Sequence, residues 1–162
     1  MNQTDADRLA ELSEQESRFV FDSFDHAAAW RLGVLMVERA LRDELPIIID
    51  IRRPGVVLFR SALAGVTAEN EVWLERKART ALRFEASTAL VAARFAAQDI
   101  DVWTAPWFDP TQFAPTGGSV PVRVRRTGVV GAVTASGLTS DEDHEFVIDA
   151  LDAYLRSGSH PS

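Results

Sequence analysis

The chain reads as an α+β domain, one antiparallel sheet with helices packed on it. Three observations carry this. Two pairs of short β-branched runs each close around a turn signal, at Pro54-Gly55 and at Thr127-Gly128. Apolar residues recur at helical spacing in segments that follow these runs. The length, 162 residues, fits one domain, and paired strands followed by helices fit a single covered sheet.

In chain order, Asp5 to Glu14 forms a short helix with Leu9 and Leu12 on one side, part of an N-terminal arm over 1–16. Arg18 to Phe24 alternates Phe19 and Phe21 and reads as a short strand. Asp25 is placed to cap a helix over Ala27 to Asp43, whose stripe of Trp30, Val34, Val37 and Leu41 is expected to be its buried face. Pro46 cannot continue it. Ile47 to Arg52 is a strand with Ile47, Ile49 and Ile51 on one face and Asp50 and Arg52 on the other. The polar pair is free to bond internally or with Arg123 and Arg125. Val56 to Ala62 returns as the second strand of a hairpin.

Thr67 caps a long helix expected to run to about Ala97, striped by Trp73, Lys77, Ala81, Phe84, Val91 and Phe95. A Trp- and Pro-bearing connection follows over Asp99 to Pro115, with a short strand at Ile100 to Trp103. Its Trp103 and Trp107 suit a pocket cover, a subunit interface or a core beneath a long loop. Val120 to Arg125 and Val129 to Ala135 form the second hairpin. Ser140 is expected to cap a final helix carrying Phe146, Val147, Ala150, Leu151 and Leu155. Its first turn holds Asp141, Glu142 and Asp143, where the helix dipole favours anions. The tail over 157–162 is expected to be disordered, and the whole chain, 1–162, to be one domain.

Composition narrows function. The chain has no cysteine, which removes disulfides, thiolate metal sites and Cys nucleophiles and fits a reducing compartment. Its net charge is −7 and its pI about 4.9, which disfavours broad binding to nucleic acid or an anionic membrane. The polar, acidic N-terminus has no signal-like apolar core, and no apolar run approaches a membrane span. The expected compartment is the cytoplasm. Three scattered histidines do not make a protein zinc site. No Gly-x-Ser-x-Gly elbow occurs, so no catalytic residue is assigned.

Lys77 sits in an otherwise apolar stripe, where an ammonium must snorkel, pair, or meet a ligand. Arg76, Arg79 and Arg83 edge it, either as a rim for carboxylate or phosphate or as a solvated, salt-bridged face. Gly117-Gly118 brings backbone amides close to an anion or simply makes a tight turn. His144, in the first turn of the last helix, suits a haem or metal ligand, a proton carrier or a packing residue. Its i+4 neighbour is Ile148, so it has no paired histidine. His26, beside Asp25, reads as a cap or surface residue.

Five segments in order resemble one family: Phe24-Asp25 with Ala29-Trp30-Arg31-Leu32-Gly33; Pro46 to Arg53; Asn70-Glu71-Val72-Trp73-Leu74-Glu75-Arg76-Lys77; Gly117-Gly118-Ser119-Val120-Pro121-Val122; and Gly128-Val129-Val130-Gly131 running on to Ser136-Gly137-Leu138 with Asp143-His144. Together they resemble the haem-degrading-domain superfamily of GlcG/HbpS-like proteins, in a branch with a Trp-x-x-Arg-Lys helix. The resemblance implies a profilin-like domain with a central antiparallel sheet of about five strands. It also implies homo-oligomers built from dimers, and a small-molecule ligand that is haem or another anionic metabolite. The expected ligand-binding residues are Trp73, Arg76, Lys77, Gly117, Gly118 and His144, with His144 the axial candidate should haem bind. Two alternatives stand beside this: a structural or interaction module without catalysis, and an enzyme of haem or corrinoid metabolism.

Overall fold

In a computed structural model, which describes residues 3–158, five strands form one sheet in the order β1-β4-β5-β2-β3. Helix α1 (Gln3–Ser17) leads into β1 (Val20–Phe21), α2 (His26–Arg42), β2 (Ile48–Arg53) and β3 (Val56–Ala62). Then come α3 (Ala68–Phe84), α4 (Thr88–Ala97), a 3-10 turn (Val102–Thr104), β4 (Ser119–Val124), β5 (Gly128–Ser136) and α5 (Ser140–Arg156). The four long strands pair antiparallel, and only β1 runs parallel to its neighbour β4. This is the expected fold, a mixed α and β domain with a five-stranded sheet flanked by helices. The expected tail is described only through Gly158; residues 159–162 lie outside the described residues.

Strand alternation separates two chemistries. Ile49, Ile51, Val120, Val122, Val133 and Ala135 join Leu32 and Met36 of α2 and Val147, Leu151 and Tyr154 of α5 in the main core. The opposite face carries Asp50, Ser119 and Thr134 beneath α3 and α4. There the Ser119 and Thr134 hydroxyls meet across the β4–β5 pair at 2.8 Å. Asp50 is fully buried. It accepts from Arg52 Nε at 2.6 Å and from Arg60 Nε at 3.0 Å, and both arginines also donate to Glu75 on α3. The Asp50–Arg52 pairing is the internal one. Arg123 instead donates to the Glu85 carbonyl, and Arg125 to Asp22.

Four local expectations are corrected. The buried face of α2 is Ala28, Ala29, Leu32, Gly33, Met36 and Ala40, while Trp30 and Leu41 are 63% and 60% exposed. Both stripes have the helical period. The small residues win because they let the helix approach the sheet, with Gly33 directly against the Phe59 ring and Trp30 left edge-on to it, centroids 5.8 Å apart.

The helix begun at Thr67 ends at Phe84. Glu85 turns left-handed (φ 49°) and Ser87 restarts the chain as a cap, accepting from Leu90 N. The break swings α4 onto α1, where Leu12, Leu90 and Val91 form a second apolar cluster.

The segment expected as a strand at Ile100 to Trp103 coils into the 3-10 turn, because Asp101 accepts from Trp103 N and Thr104 Oγ1. Finally, the cap of α5 is Thr139, in a capping box with Glu142. Ser140 is the first helical residue, and its hydroxyl has another task. Among the described residues no helix is long and apolar enough to cross a membrane.

Candidate functional site

The stripe of α3 delivers Lys77 to the sheet face at the C-terminal end of β5, where Ser136-Gly137-Leu138 leads into α5. Lys77 is 4% exposed, and its Nζ donates to Asp143 Oδ2 at 2.7 Å. Asp143, 1% exposed, also accepts from Leu138 N at 3.0 Å and Gly137 N at 3.4 Å. Buried charges persist in proteins when they are paired and hydrogen-bonded in this way. An ammonium has three donors, and Asp143 takes one of Lys77's.

This ion pair opens onto a cavity of about 310 Å³. Helix α3 contributes Glu69, Asn70 and Trp73 to its wall, the loop before β4 contributes Thr116, and the β5–α5 junction contributes Ser136 and Ser140. Thr116 Oγ1 is buried with no hydrogen-bond partner among the described residues, a state that normally calls for a ligand or water. Trp73 donates its indole N–H to Glu69 at 3.1 Å. The wall thus offers hydroxyls, an amide and two carboxylates against a single ammonium.

The double-glycine bend does touch Lys77. A Cβ on Gly118 would sit 2.9 Å from its Nζ and 2.5 Å from the Ala135 carbonyl, and Gly118 has φ +132°. The bend's Gly117 amide is already committed, donating to Ser140 Oγ at 2.6 Å. It is not free to meet an anion. A Cβ on Gly117 would also collide with the Ser140 carbonyl. Gly117 faces a second cavity, about 240 Å³, beneath α1 and α4.

Arg76 and His144 lie outside the Lys77 cavity wall. The Arg76 guanidinium stacks 4.3 Å from the Trp73 ring centroid and 5.9 Å from that of Trp103. Arg79 reaches Glu75, and Arg83 lies over Phe84 and Phe113, so the expected basic rim is a packed and paired helix face. His144 is 3% exposed, with its Nε2 2.8 Å from Gln15 Oε1 of α1 and its Nδ1 buried without a partner among the described residues. Burial, aided by the Arg8 charge, pushes its pKa down to about 4. Trp103 and Trp107 are about half exposed and pack edge-on around the buried Phe108, partly a core beneath the loop.

The family model for the haem-degrading protein HbpS-like family matches residues 24–152. The chain belongs to this family. A UPF0303 protein of Streptomyces coelicolor is 45% identical over 150 residues, covering 93% of this chain and 95% of the relative. Another from Acidobacterium capsulatum is 36% identical, covering 90% and 88%. Among solved structures, the Ybr137w protein superposes with a TM-score of 0.85 at 29% identity, covering 94% of this chain and 90% of that one. HbpS (TM-score 0.64, 22% identity, covering 86% and 95%) and a PduOC:Heme complex (0.61, 18%, covering 81% and 94%) share the fold.

The family's name makes haem the group to test against these residues. They do not fit it as folded. The chain's candidate axial nitrogen, on His144, is sealed behind α1, and its Nε2 is held by Gln15. The Lys77 cavity presents no imidazole and has two carboxylates in its wall.

Asp143, Thr116 and Ser136 line the cavity but were not among the expected ligand-binding residues. The helix dipole favours all three first-turn acids of α5 alike. One signal separates them: Asp143 lies on the stripe Asp143, Val147, Ala150, Leu151 and Tyr154 that α5 buries. Lys77 occupies the same kind of place on α3. One charge on the apolar face of each of two helices is the pattern of a buried pair.

Proposed function

We propose that this member of the HbpS-like family is a ligand-binding domain, and that the cavity floored by Lys77 and Asp143 receives a small polar molecule. The observation that carries this is an ammonium with unused donors facing a cavity beside an orphaned buried hydroxyl, Thr116 Oγ1. Trp73 supplies an apolar wall, and Asn70, Ser136 and Ser140 supply hydrogen bonds. The carboxylates of Glu69 and Asp143 outnumber the one cation in the wall. That balance favours an uncharged, oxygen-rich ligand over the anion expected from the sequence. Haem is the second reading, favoured by the family match and by the PduOC:Heme complex of like fold; it requires α1 to move and Gln15 to release His144.

Self-association accompanies the binding role. Its support is the exposure of Trp30, Trp103 and Trp107, apolar area of the kind that subunits cover. The absence of cysteine supports the cytoplasm as its compartment.

Saturation-transfer NMR with glycerol, lactate and glyceraldehyde as probes tests the site. Transfer to glycerol or glyceraldehyde, weakened in Thr116→Val, is the expected result. No transfer to any probe, together with no small molecule on the protein isolated from its own cells by native mass spectrometry, overturns the reading. Titration with haemin decides the second reading. A Soret shift lost in His144→Ala establishes haem ligation, and an unchanged spectrum removes it.

A further inference from the structure

We propose that Lys77 is a carbonyl-reactive amine, forming an imine with a small uncharged hydroxy-aldehyde or hydroxy-ketone in the cavity. This rests on the binding role proposed above and goes beyond it.

The first observation is compositional. The chain contains sixteen arginines and one lysine, Lys77. Wherever a cation only has to be positive, this sequence uses a guanidinium. That holds even for a buried ion pair, since the fully buried Asp50 is bonded to Arg52 and Arg60. Burial and pairing therefore do not by themselves call for lysine here. What distinguishes position 77 is the cavity. Guanidinium keeps its proton in proteins, whereas an ammonium can surrender one and become a nucleophile.

The second observation is the neighbouring acid–base group. Asp143 Oδ2 lies 2.7 Å from Nζ and is oriented by the Leu138 and Gly137 amides, within reach for proton transfer. Imine formation then balances internally. Asp143 takes one proton from the ammonium, and the neutral amine attacks the carbonyl carbon, forming the C–N bond while the C=O π bond opens. The alkoxide gains a proton from the nitrogen to give the carbinolamine. Asp143 returns its proton to that hydroxyl, the C–O bond breaks, and water leaves. The products are a protonated imine, an Asp143 carboxylate to stabilise it, and one water.

The third observation sets the substrate class. The hydroxyls of Thr116, Ser136 and Ser140 and the amide of Asn70 suit a hydroxylated carbon chain, and Glu69 disfavours a carboxylate. A volume near 310 Å³ lies at the lower end for ligand sites and suits a molecule of a few carbons.

Incubation of the full chain with glyceraldehyde and sodium cyanoborohydride, followed by intact mass and peptide mapping, tests this directly. One lysine makes the map simple, because the N-terminal amine is the only competing primary amine. The expected result is one adduct on Lys77, formed faster than on the N-terminus. Asp143→Asn should slow it about 100-fold, the lower end for a positioned proton-transfer group. Lys77→Arg keeps a cation in the pair and should leave only the N-terminal adduct. Should Asp143→Asn fail to fold, Thr116→Val is the second variant, expected to slow adduct formation without touching the ion pair. An adduct confined to the N-terminus, or equal rates in wild type and Asp143→Asn, overturns the proposal. Saturation transfer without an adduct overturns it while leaving the binding role intact; loss of both signals, with no small molecule retained on the protein from its own cells, overturns the two together.

Discussion

Removing the Asp143 carboxylate should be among the most damaging single changes in this protein. In Asp143→Ala, Lys77 stays 4% exposed with no counter-charge, and the Leu138 amide loses its acceptor at 3.0 Å. Breaking a buried pair from one side costs about 3–5 kcal/mol, because an uncompensated charge is left behind. Set against a typical total of about 5–15 kcal/mol, that is a large share. For a chain of this length it corresponds to a fall in melting temperature of roughly 6–20 °C.

Lys77→Met should be milder, about 1.5–3 kcal/mol, the range for one hydrogen bond to a charged group. Asp143 still accepts from two backbone amides in that variant. The double variant should be little worse than Asp143→Ala alone, giving a coupling of about 2 kcal/mol, within the range for contacting residues. Urea unfolding followed by far-UV circular dichroism measures all three, with an unchanged m-value as the check on two-state behaviour. Singles that each cost under about 1 kcal/mol and add without coupling would show that the pair does not anchor α3 to α5, and the reasoning above would be wrong.

Stability should also fall in acid in two stages. The unfolded chain's histidine titrates near 6.5, whereas His144 is held at about 4 by burial. The unfolded state therefore binds the extra proton first. Stability is whole above about pH 6.5, declines as pH drops toward 4, and has lost roughly 3 kcal/mol from this group below that. His144→Gln should flatten this slope in urea titrations run across the window. Glu75, held at about 2 chiefly by its hydrogen bond from Arg52, adds a further loss between about pH 4.5 and 2 that Glu75→Gln removes. Gly118→Ala forces a side chain into φ +132° and against the Ala135 carbonyl and Lys77 Nζ. It should cost about 1–3 kcal/mol as overpacking and also weaken glyceraldehyde transfer, whereas the same change at Gly128, with open space around it, should leave transfer unchanged.

Elements with a local cause were legible in the residue order. Asp25 caps α2 through Ala28 N, Thr67 caps α3, and Ile49 and Ile51 of β2 point to the core. Each depends on spacing or on hydrogen bonds within a few residues. The break at Glu85 was hidden, because Ser87-Thr88 caps equally well inside a continuous stripe, and what selects the break is the docking of α4 onto Leu12 of α1. The α2 stripe was misassigned for a related reason: periodicity sets the spacing of a buried face, and the neighbour's shape sets its phase.

The candidate site divides along the same line. Lys77 stood out in the sequence because a charge interrupted an apolar stripe, and Gly117-Gly118 stood out as backbone able to approach an anion; that Gly118 lies against the Lys77 amine came from the fold. The counter-charge from Asp143, sixty-six positions away, and the orphaned Thr116 hydroxyl came only from folding. So did the separation of Arg76, Gly117 and His144 from the Lys77 cavity. Short-range periodicity and capping determine which segments coil or extend and which side chains turn inward. Which inward-facing groups meet is settled by the packing of helices over a sheet, through contacts between residues that the linear order keeps far apart.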